Sequence, residues 1–223
     1  MMHLKQNLQI KYKTTAASIN IILQQKNVTL SPLLLKGTFY NKRINMDNIL
    51  KTDTLQLRPI NRDDAHQIFE YRSDVENNKY QDFIPSKIKD IYEFIEDSAE
   101  EMNEVGTWFQ LVIIHSESEK IIGDIGLNFL DEDQVEINIT LSKDFQNKSY
   151  ATEALSTIID LLFTQLKKHR IIASTDPRNE AIIRLLSRLK FRKEAHFKES
   201  YFSNGEWLDD VQFGLLSSEW EGL

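Results

Sequence analysis

The sequence predicts one α+β domain built on a mixed, mostly antiparallel sheet of about seven strands with flanking helices. Its 223 residues suffice for one sizeable domain, and 41% of them are hydrophobic, enough to bury a core. Segments with strand-like alternation and amphipathic helical segments follow one another along the chain. Their order is a strand, two helices, three antiparallel strands, a helix, a strand, a helix and two final strands, which is typical of this fold class.

The first predicted elements are a strand and two helices. Residues 54–58 alternate between apolar and polar, and Pro59, which lacks a ladder donor, limits the strand and favours a place at the sheet edge. Asn61 is a suitable cap for a helix over about 62–73. Further apolar residues at helical spacing predict a second helix over about 87–103.

Three strands joined by short polar turns come next. The predicted strands cover residues 108–114, 121–129 and 135–141, with turns at 117–120 and 131–133. Strict alternation is clearest in the third strand. These short connections indicate antiparallel neighbours.

The remaining elements include the strongest helix of the chain. Residues 150–168 carry a broad apolar stripe, and the basic residues 167–170 follow at the C-terminal end, where positive charge complements the helix dipole. A short strand over 170–174, a helix over 179–189 and a hairpin over 191–215 complete the predicted domain.

Composition excludes several classes of protein. The chain has no cysteine, which excludes a disulfide scaffold and a cysteine nucleophile and fits a cytoplasmic location. Its five histidines are scattered, so we expect no metal site. No apolar run approaches the roughly 20 residues that cross a bilayer, so we expect no membrane partner. The formal charge of −7 disfavours binding of nucleic acid, whose phosphates need a basic face.

Charge is unevenly distributed, and the change marks a boundary near Met46. The first 45 residues contain seven basic residues and no acidic one, which leaves 20 basic and 34 acidic residues for the rest of the chain. We therefore predict a basic N-terminal extension over 1–45 and the folded domain over 46–223. Three interpretations of the extension stay open: a flexible tail, a targeting segment, or upstream sequence wrongly joined to a protein that starts at Met46, which we favour.

The loop over 145–152 joins a strand to the strongest helix and is the first candidate site. Its small and polar residues present successive backbone N–H groups at the positive end of the helix, an arrangement that binds anions. The alternative is ordinary N-capping of the helix by the hydroxyl of Ser149 or Thr152. Spacing alone favours capping.

Several motifs, in a constant order, resemble one family. Gln146-x-x-Ser149-x-Ala151 resembles the pyrophosphate loop of the GNAT N-acetyltransferases, and the run through Leu155 is similar to their RimJ/RimL-like branch, which acetylates alanines of ribosomal proteins. Other matching stretches lie at 55–59, 71–81, 122–126, 179–191, 207–210 and 219–220. Together they span about residues 53–220. The resemblance implies the GNAT acyl-CoA N-acyltransferase fold for the whole core.

The resemblance also implies a reaction and a set of cofactor contacts. The reaction is transfer of an acetyl group from acetyl-CoA to a primary amine, a small amine or a protein N-terminus, by direct attack in a ternary complex. The strands 135–141 and 170–174 would splay apart around the thioester, and positioning would supply ~7–11 kcal/mol of the barrier. The implied cofactor-binding residues are Ile139, Thr140, Leu141, Gln146, Asn147, Lys148, Ser149, Tyr150, Ala151, Thr152 and Asn179.

A general base must still remove a proton from an amine that is charged at neutral pH. Glu136, on the splayed strand, is the candidate base, acting through water, and Asn179 is the second candidate catalytic residue. The alternating pattern favours a plainer interpretation of Glu136 as a solvent-facing side chain. His115 and Asp124 are weaker candidates for the base.

The acceptor side of the site is less determined by the sequence. Tyr71, Tyr80 and Phe83 are candidates to shape an acceptor pocket, and the alternative is that they belong to the core. The acidic core would attract cationic amines, although acidity also serves solubility. We expect either a monomer or a homodimer.

Three departures from the family pattern bear on turnover. Ser149 replaces a usual glycine, and a left-handed conformation there costs ~1–2 kcal/mol. Ile182 replaces a serine that is frequent in the branch, and Leu186 replaces a tyrosine that protonates the leaving thiolate in many relatives. Two alternatives to an enzyme therefore stay open. One is an acyl-CoA-binding module with weak or no catalysis, and the other is an interaction domain without a cofactor.

Overall fold

The computed structural model describes residues 50–203 and 205–222, which form one mixed sheet with helices on both faces. The predicted extension over 1–45 lies outside the described residues. The strands are β1 (Leu50–Lys51), β2 (Leu55–Pro59), β3 (Trp108–His115), β4 (Lys120–Phe129), β5 (Gln134–Leu141), β6 (Arg170–Thr175), β7 (Arg192–Ser203) and β8 (Glu206–Leu216). The helices are α1 (Ala65–Arg72), α2 (Ile88–Glu96), α3 (Tyr150–Asp160) and α4 (Glu180–Arg188).

The sheet follows the order β1-β2-β3-β4-β5-β6-β8-β7. Its pairings are antiparallel apart from the parallel pair of β5 and β6. The crossover between those two strands contains α3, because parallel neighbours need a long connection. The predicted α+β class and mixed sheet are confirmed.

Alternation along β3 divides the hydrophobic core into two layers. Leu111 and Ile113 belong to the layer that α3 and α4 cover, whereas Val112 between them packs under α1 and α2. Successive side chains of a strand point to opposite faces, so each face needs its own cover. The amphipathic patterns of the helices supply that cover.

The parallel pair β5–β6 is short, and this creates a gap in the sheet. Residues 134–136 of β5 pair with residues 170–172 of β6, and β6 then continues alongside β8. The main chain of β5 from Ile137 to Leu141 stays paired with β4 on its other side. The splay that the family resemblance implied is therefore present at the predicted strands.

Two predictions about the first half of the domain were wrong. The strand over 54–58 is not at the edge, because the two-residue strand β1 pairs outside it and brings the sheet to eight strands among the described residues. A strand of two residues is too short to show an alternating pattern, so β1 could not be predicted from the sequence. The second helix ends at Glu96, since Ser98 and Ala99 instead form hydrogen bonds with β3.

The end of the strongest helix also differs from the prediction. After Asp160 the chain makes a π turn (Leu161–Gln165) and leaves the helix. Lys168 is 2% exposed, and its ammonium donates to the carbonyls of Asp131 and Glu132 in the β4–β5 turn. Burial lowers its pKa, and the neighbouring acidic residues oppose that shift.

Candidate active site

A cavity of about 680 Å³ opens where β5 separates from β6. Its wall combines the end of β5, the loop that leads into α3, one side of α4 and the loop after α1. The predicted cofactor residues that line it are Ile139, Thr140, Leu141, Gln146, Asn147, Ser149, Tyr150, Ala151, Thr152 and Asn179. The structure therefore brings together residues that the sequence separates by up to 40 positions.

The loop before α3 adopts an unusual backbone. Asn147 and Ser149 have φ values of 59° and 66°, in the left-handed region that favours glycine. Ser149 is the N-cap of α3, yet among the described residues its side chain makes no capping hydrogen bond. The first N–H groups of a helix have no partner within the helix. Those of α3 therefore remain available to an anion at the cavity wall.

The capping alternative fails for Thr152 as well. Its hydroxyl accepts a hydrogen bond of 2.9 Å from Nη1 of Arg188, which reaches across from α4. The guanidinium adds a positive charge beside the helix N-terminus, and both favour a bound phosphate. Lys148, also predicted to bind the cofactor, is not among the residues that line the cavity, and its ammonium lies 5.3 Å from the centre of the Phe145 ring. Sequence reasoning missed Arg188, because its contact with Thr152 depends on how α4 packs and no neighbouring residues indicate it.

An aromatic cluster holds the start of α3 in place. The ring of His115 contacts those of Phe145 and Tyr150 at centroid distances of 5.7 and 5.3 Å. Its Nε2 lies 3.1 Å from the Tyr150 hydroxyl, and its Nδ1 lies 2.9 Å from the hydroxyl of Ser118. His115, a weaker candidate base, is thus a support for the loop and not a neighbour of the gap.

The free edge of β5 is contacted by the loop after α1. Ser142 donates to β4, and main-chain groups of a strand alternate in direction, so the carbonyls of Ile139 and Leu141 face the gap. The carboxamide of Gln81 donates to Ile139 O at 3.3 Å, and that of Asn77 donates to Leu141 O at 3.1 Å. Sequence reasoning missed both contacts, since they join residues about 60 positions apart.

Glu136 lies at the point where the gap begins. It is the last residue of β5 paired with β6, and its carboxylate accepts a hydrogen bond of 3.3 Å from the Asn128 amide. Burial raises its pKa; the Asn128 hydrogen bond opposes this, and the carboxylates of Asp210 and Asp82 add to it. The solvent-facing alternative does not describe this half-buried side chain.

Asn179 and Ile182 lie on the cavity wall, whereas Leu186 lies in the core. Asn179 is the N-cap of α4, and its carboxamide oxygen accepts from Ile182 N at 3.3 Å. Both residues line the cavity. Leu186 is 1% exposed and packs in the core, so this position contributes nothing to protonation of a thiolate.

Of the three aromatic acceptor candidates, Tyr80 lines the cavity, and Tyr71 and Phe83 lie in the core under α1 and α2. Tyr71 donates to the carboxylate of Asp124 at 2.6 Å, and burial followed by the charge of Asp124 raises its pKa. Phe83 stacks on Phe94 at 5.2 Å. The core alternative describes both residues.

Asp124 is part of a buried ion pair. The guanidinium of Arg72 contacts both of its carboxylate oxygens, and the side chains are 5% and 0% exposed. Its oxygens accept hydrogen bonds from Arg72 and from the Tyr71 hydroxyl, and Asp124 is not among the residues that line the cavity. Its contribution is to attach α1 to β4.

Two features are absent from the described parts of the chain. Within residues 50–203 and 205–222, no helix is long and apolar enough to cross a membrane. The same residues contain no cluster of three or more histidine or acidic side chains arranged to hold a metal ion.

Comparison with known proteins agrees with this geometry. A family model described as an acetyltransferase (GNAT) domain matches residues 54–192. The uncharacterized N-acetyltransferase p20 of Bacillus licheniformis is 33% identical over 179 residues, covering 78% of this chain and 98% of that protein. A GNAT-family acetyltransferase from Bacillus anthracis superposes with a TM-score of 0.69 at 25% identity, covering 77% of this chain and 100% of that chain.

A third neighbour shares the fold. The structure of RimJ from Mycobacterium smegmatis in complex with CoA-disulfide superposes with a TM-score of 0.66 at 20% identity, covering 75% of this chain and 84% of that chain. At this identity the likeness shows a shared fold. With the family model covering more than half of the residues, the chain belongs to the GNAT family of N-acetyltransferases and is an acyltransferase.

Proposed function

We propose that this enzyme transfers the acetyl group of acetyl-CoA to a primary amine by direct attack within a ternary complex. One observation carries the proposal: a cavity joins the uncapped N-terminus of α3 to the unpaired edge of β5. The first end suits a diphosphate and the second suits a chain of amides. Coenzyme A has both parts in that order.

The cofactor fits the residues present at each end. Main-chain N–H groups from Gln146 to Thr152 would hold the pyrophosphate, with the charge of Arg188 beside them. The main chain of β5 from Ile139 to Leu141 would pair with the pantetheine arm as an added strand does. When bound, acetyl-CoA supplies the activated acyl group. N–H groups on the same edge would polarise its carbonyl.

Glu136 is the proposed general base. It lies at the apex of the gap, and its raised pKa brings it closer to the pH at which a base must exchange protons. Acting through a water molecule, its carboxylate would take the proton that an ammonium acceptor must lose before attack. Asn179 lines the cavity and would help to orient the reacting groups.

The surroundings of Glu136 support a cationic acceptor. The carboxylates of Asp210 and Asp82 both add to the raised pKa of Glu136, so two further acidic side chains lie near the base. A protonated amine entering this side would be attracted before it is deprotonated. Tyr80 would form part of the acceptor wall.

Acetyl transfer by the purified full-length chain tests the proposal. Acetyl-CoA would be incubated with a panel of amines, including polyamines and peptides with free N-termini, and the release of CoA thiol would be followed. We expect thiol release that depends on one class of amine and a matching acetylated product by mass spectrometry. Saturable CoA binding without amine-dependent release across the panel would contradict the proposed transfer and favour a binding module.

A further inference from the structure

We propose that Asn77 is a positioning residue for the cofactor site, which it stabilises from the acceptor-side loop through Gln146. The inference rests on the proposed function, in which the loop from Gln146 to Thr152 holds coenzyme A. It adds a residue outside that loop, and it links the two ligand sites.

The link is a closed set of three hydrogen bonds. Gln146 Nε2 donates to Asn77 Oδ1 at 2.7 Å and to Leu141 O at 3.1 Å. Asn77 Nδ2 donates to the same carbonyl at 3.1 Å. Reversal of either carboxamide would place two donors or two acceptors in contact, so the network determines both orientations.

Asn77 is itself held on a rigid support. Its N–H donates to the Asp74 carboxylate at 3.1 Å. The carboxamide of the next residue, Asn78, is buried and donates to the carbonyls of Tyr71, Arg72 and Asp74 at the end of α1. The buried pair of Arg72 and Asp124 then attaches α1 to β4. The Asn77 carboxamide therefore connects a fixed point of the core to Gln146.

The attachment of Gln146 restricts the backbone of the loop at its N-terminal end. It precedes Asn147 and Ser149, whose left-handed conformations orient the N–H groups at the start of α3. The helix fixes one end of this loop, and the hydrogen bonds of Gln146 fix the other. A loop held at both ends loses less conformational freedom when an anion binds, and that preorganisation strengthens binding.

The same network affects which carbonyl of β5 is free for the cofactor. A carbonyl oxygen has two lone pairs, and Leu141 O already accepts two hydrogen bonds within the described structure. Ile139 O accepts one, from Gln81. With the network closed, an amide N–H of the pantetheine arm has an open acceptor at Ile139 O, so Asn77 and Gln146 would set the register of the cofactor along β5.

The test is a double-mutant cycle on the full-length chain. Asn77→Ala, Gln146→Ala and the double variant would be titrated calorimetrically with CoA, after circular dichroism has shown that each is folded. We expect each single substitution to weaken CoA binding by about threefold to thirtyfold, the range for one or two net hydrogen bonds. The double variant should bind CoA with about the same affinity as whichever single variant binds it less tightly. Val75→Ala, an exposed change in the same loop, should bind as the unmodified protein does.

Hydrogen exchange supplies a readout that general destabilisation would not reproduce. In the unmodified protein CoA should slow exchange both at residues 146–152 and at residues 74–81. In Asn77→Ala, CoA should still protect the first segment and no longer the second. Unchanged CoA affinity in Asn77→Ala, additive effects in the cycle, or protection of 146–152 alone in the unmodified protein would overturn the coupling and leave the proposed function standing. Absence of CoA binding to the unmodified protein would overturn both.

Discussion

Glu136 on β5 lies opposite Ile172 on β6 at the last paired position before the two strands separate. An ionisable side chain is thus fixed at the apex of the gap that defines the site. One residue further along β5 the strand loses its neighbour on that side, so Glu136 has the rigidity of a paired strand and lies three residues before Ile139, the first residue of β5 that lines the cavity. A catalytic group benefits from such support because small displacements are costly.

Replacement of Glu136 by glutamine should reduce turnover and leave cofactor binding intact. Glutamine keeps the shape and the Asn128 contact and cannot accept a proton. We expect a loss of about 10²- to 10⁴-fold in kcat, the usual contribution of a general base. The measurement is steady-state thiol release with the best amine of the panel, alongside calorimetry with CoA. Glu117→Gln, in the exposed β3–β4 turn, is the matched control and should retain full activity.

Ionisation of Glu136 should raise activity and lower stability as pH increases. Activity should rise with pH through its raised pKa, because the base must be ionised. Stability should fall as pH rises from the ordinary value of 4.5 through that raised pKa, because the folded state binds the proton more tightly than the unfolded chain does.

Urea unfolding at a series of pH values, with Glu136→Gln beside the unmodified protein, checks the sign. The variant should lose this part of the pH dependence. If the free energy of unfolding changed with pH in the same way in both proteins, the assignment of the raised pKa to Glu136 would be contradicted.

Ser149→Gly should relieve strain at the cofactor loop. Serine in the left-handed region costs about 1–2 kcal/mol, and the greater freedom of glycine in the unfolded chain offsets about half of that. We expect a net stabilisation below about 1 kcal/mol together with tighter CoA binding, because the loop reaches its bound conformation more readily.

Lys190→Gly is the control for this effect. Lys190 has a φ of 68° after the end of α4. The Lys190→Gly variant should gain a similar free energy of unfolding, measured by thermal unfolding, and its affinity for CoA should not change. Equal changes of affinity in both variants would argue against a specific role for the Ser149 conformation.

Loss of one partner of the Arg72–Asp124 pair should destabilise the domain strongly. Asp124→Ala leaves a buried guanidinium without its counter-charge, which costs about 3–5 kcal/mol. Urea unfolding measures the loss. The double change Arg72→Met with Asp124→Leu should recover much of it, since no buried charge remains. A double variant as unstable as Asp124→Ala would show that the hydrogen bonds of the pair, and not its charge balance, dominate.

The sequence predicted well where the signal is local. Alternation identified β3, β4 and β5 to within a residue or two. The position of the loop from Gln146 to Thr152 before a strong helix made it a candidate anion site, and the family resemblance favoured that interpretation over capping. Main-chain sites of this kind depend on the order of elements, which periodicity reveals. The left-handed Ser149 shows that a missing glycine did not prevent the conformation, because the surrounding structure supports it.

Prediction failed where tertiary contacts decide. Tyr71 looked like an acceptor-side aromatic, but its hydroxyl reaches Asp124, 53 positions away. Lys168 looked like a helix-end cation, yet it is buried under the β4–β5 turn because the helix ends early in a π turn. Asn77 lies in the stretch 71–81 that resembles the family, but no local pattern indicated its contacts, since its partners Gln146 and Leu141 are distant in the sequence.

Calorimetric titration of the full-length chain with CoA tests most directly whether the N-terminus of α3 is a diphosphate site. The account predicts saturable one-to-one binding that inorganic pyrophosphate displaces and that pantetheine, which lacks the phosphates, does not reproduce. No heat at millimolar CoA, or equal binding of CoA and pantetheine, would contradict it.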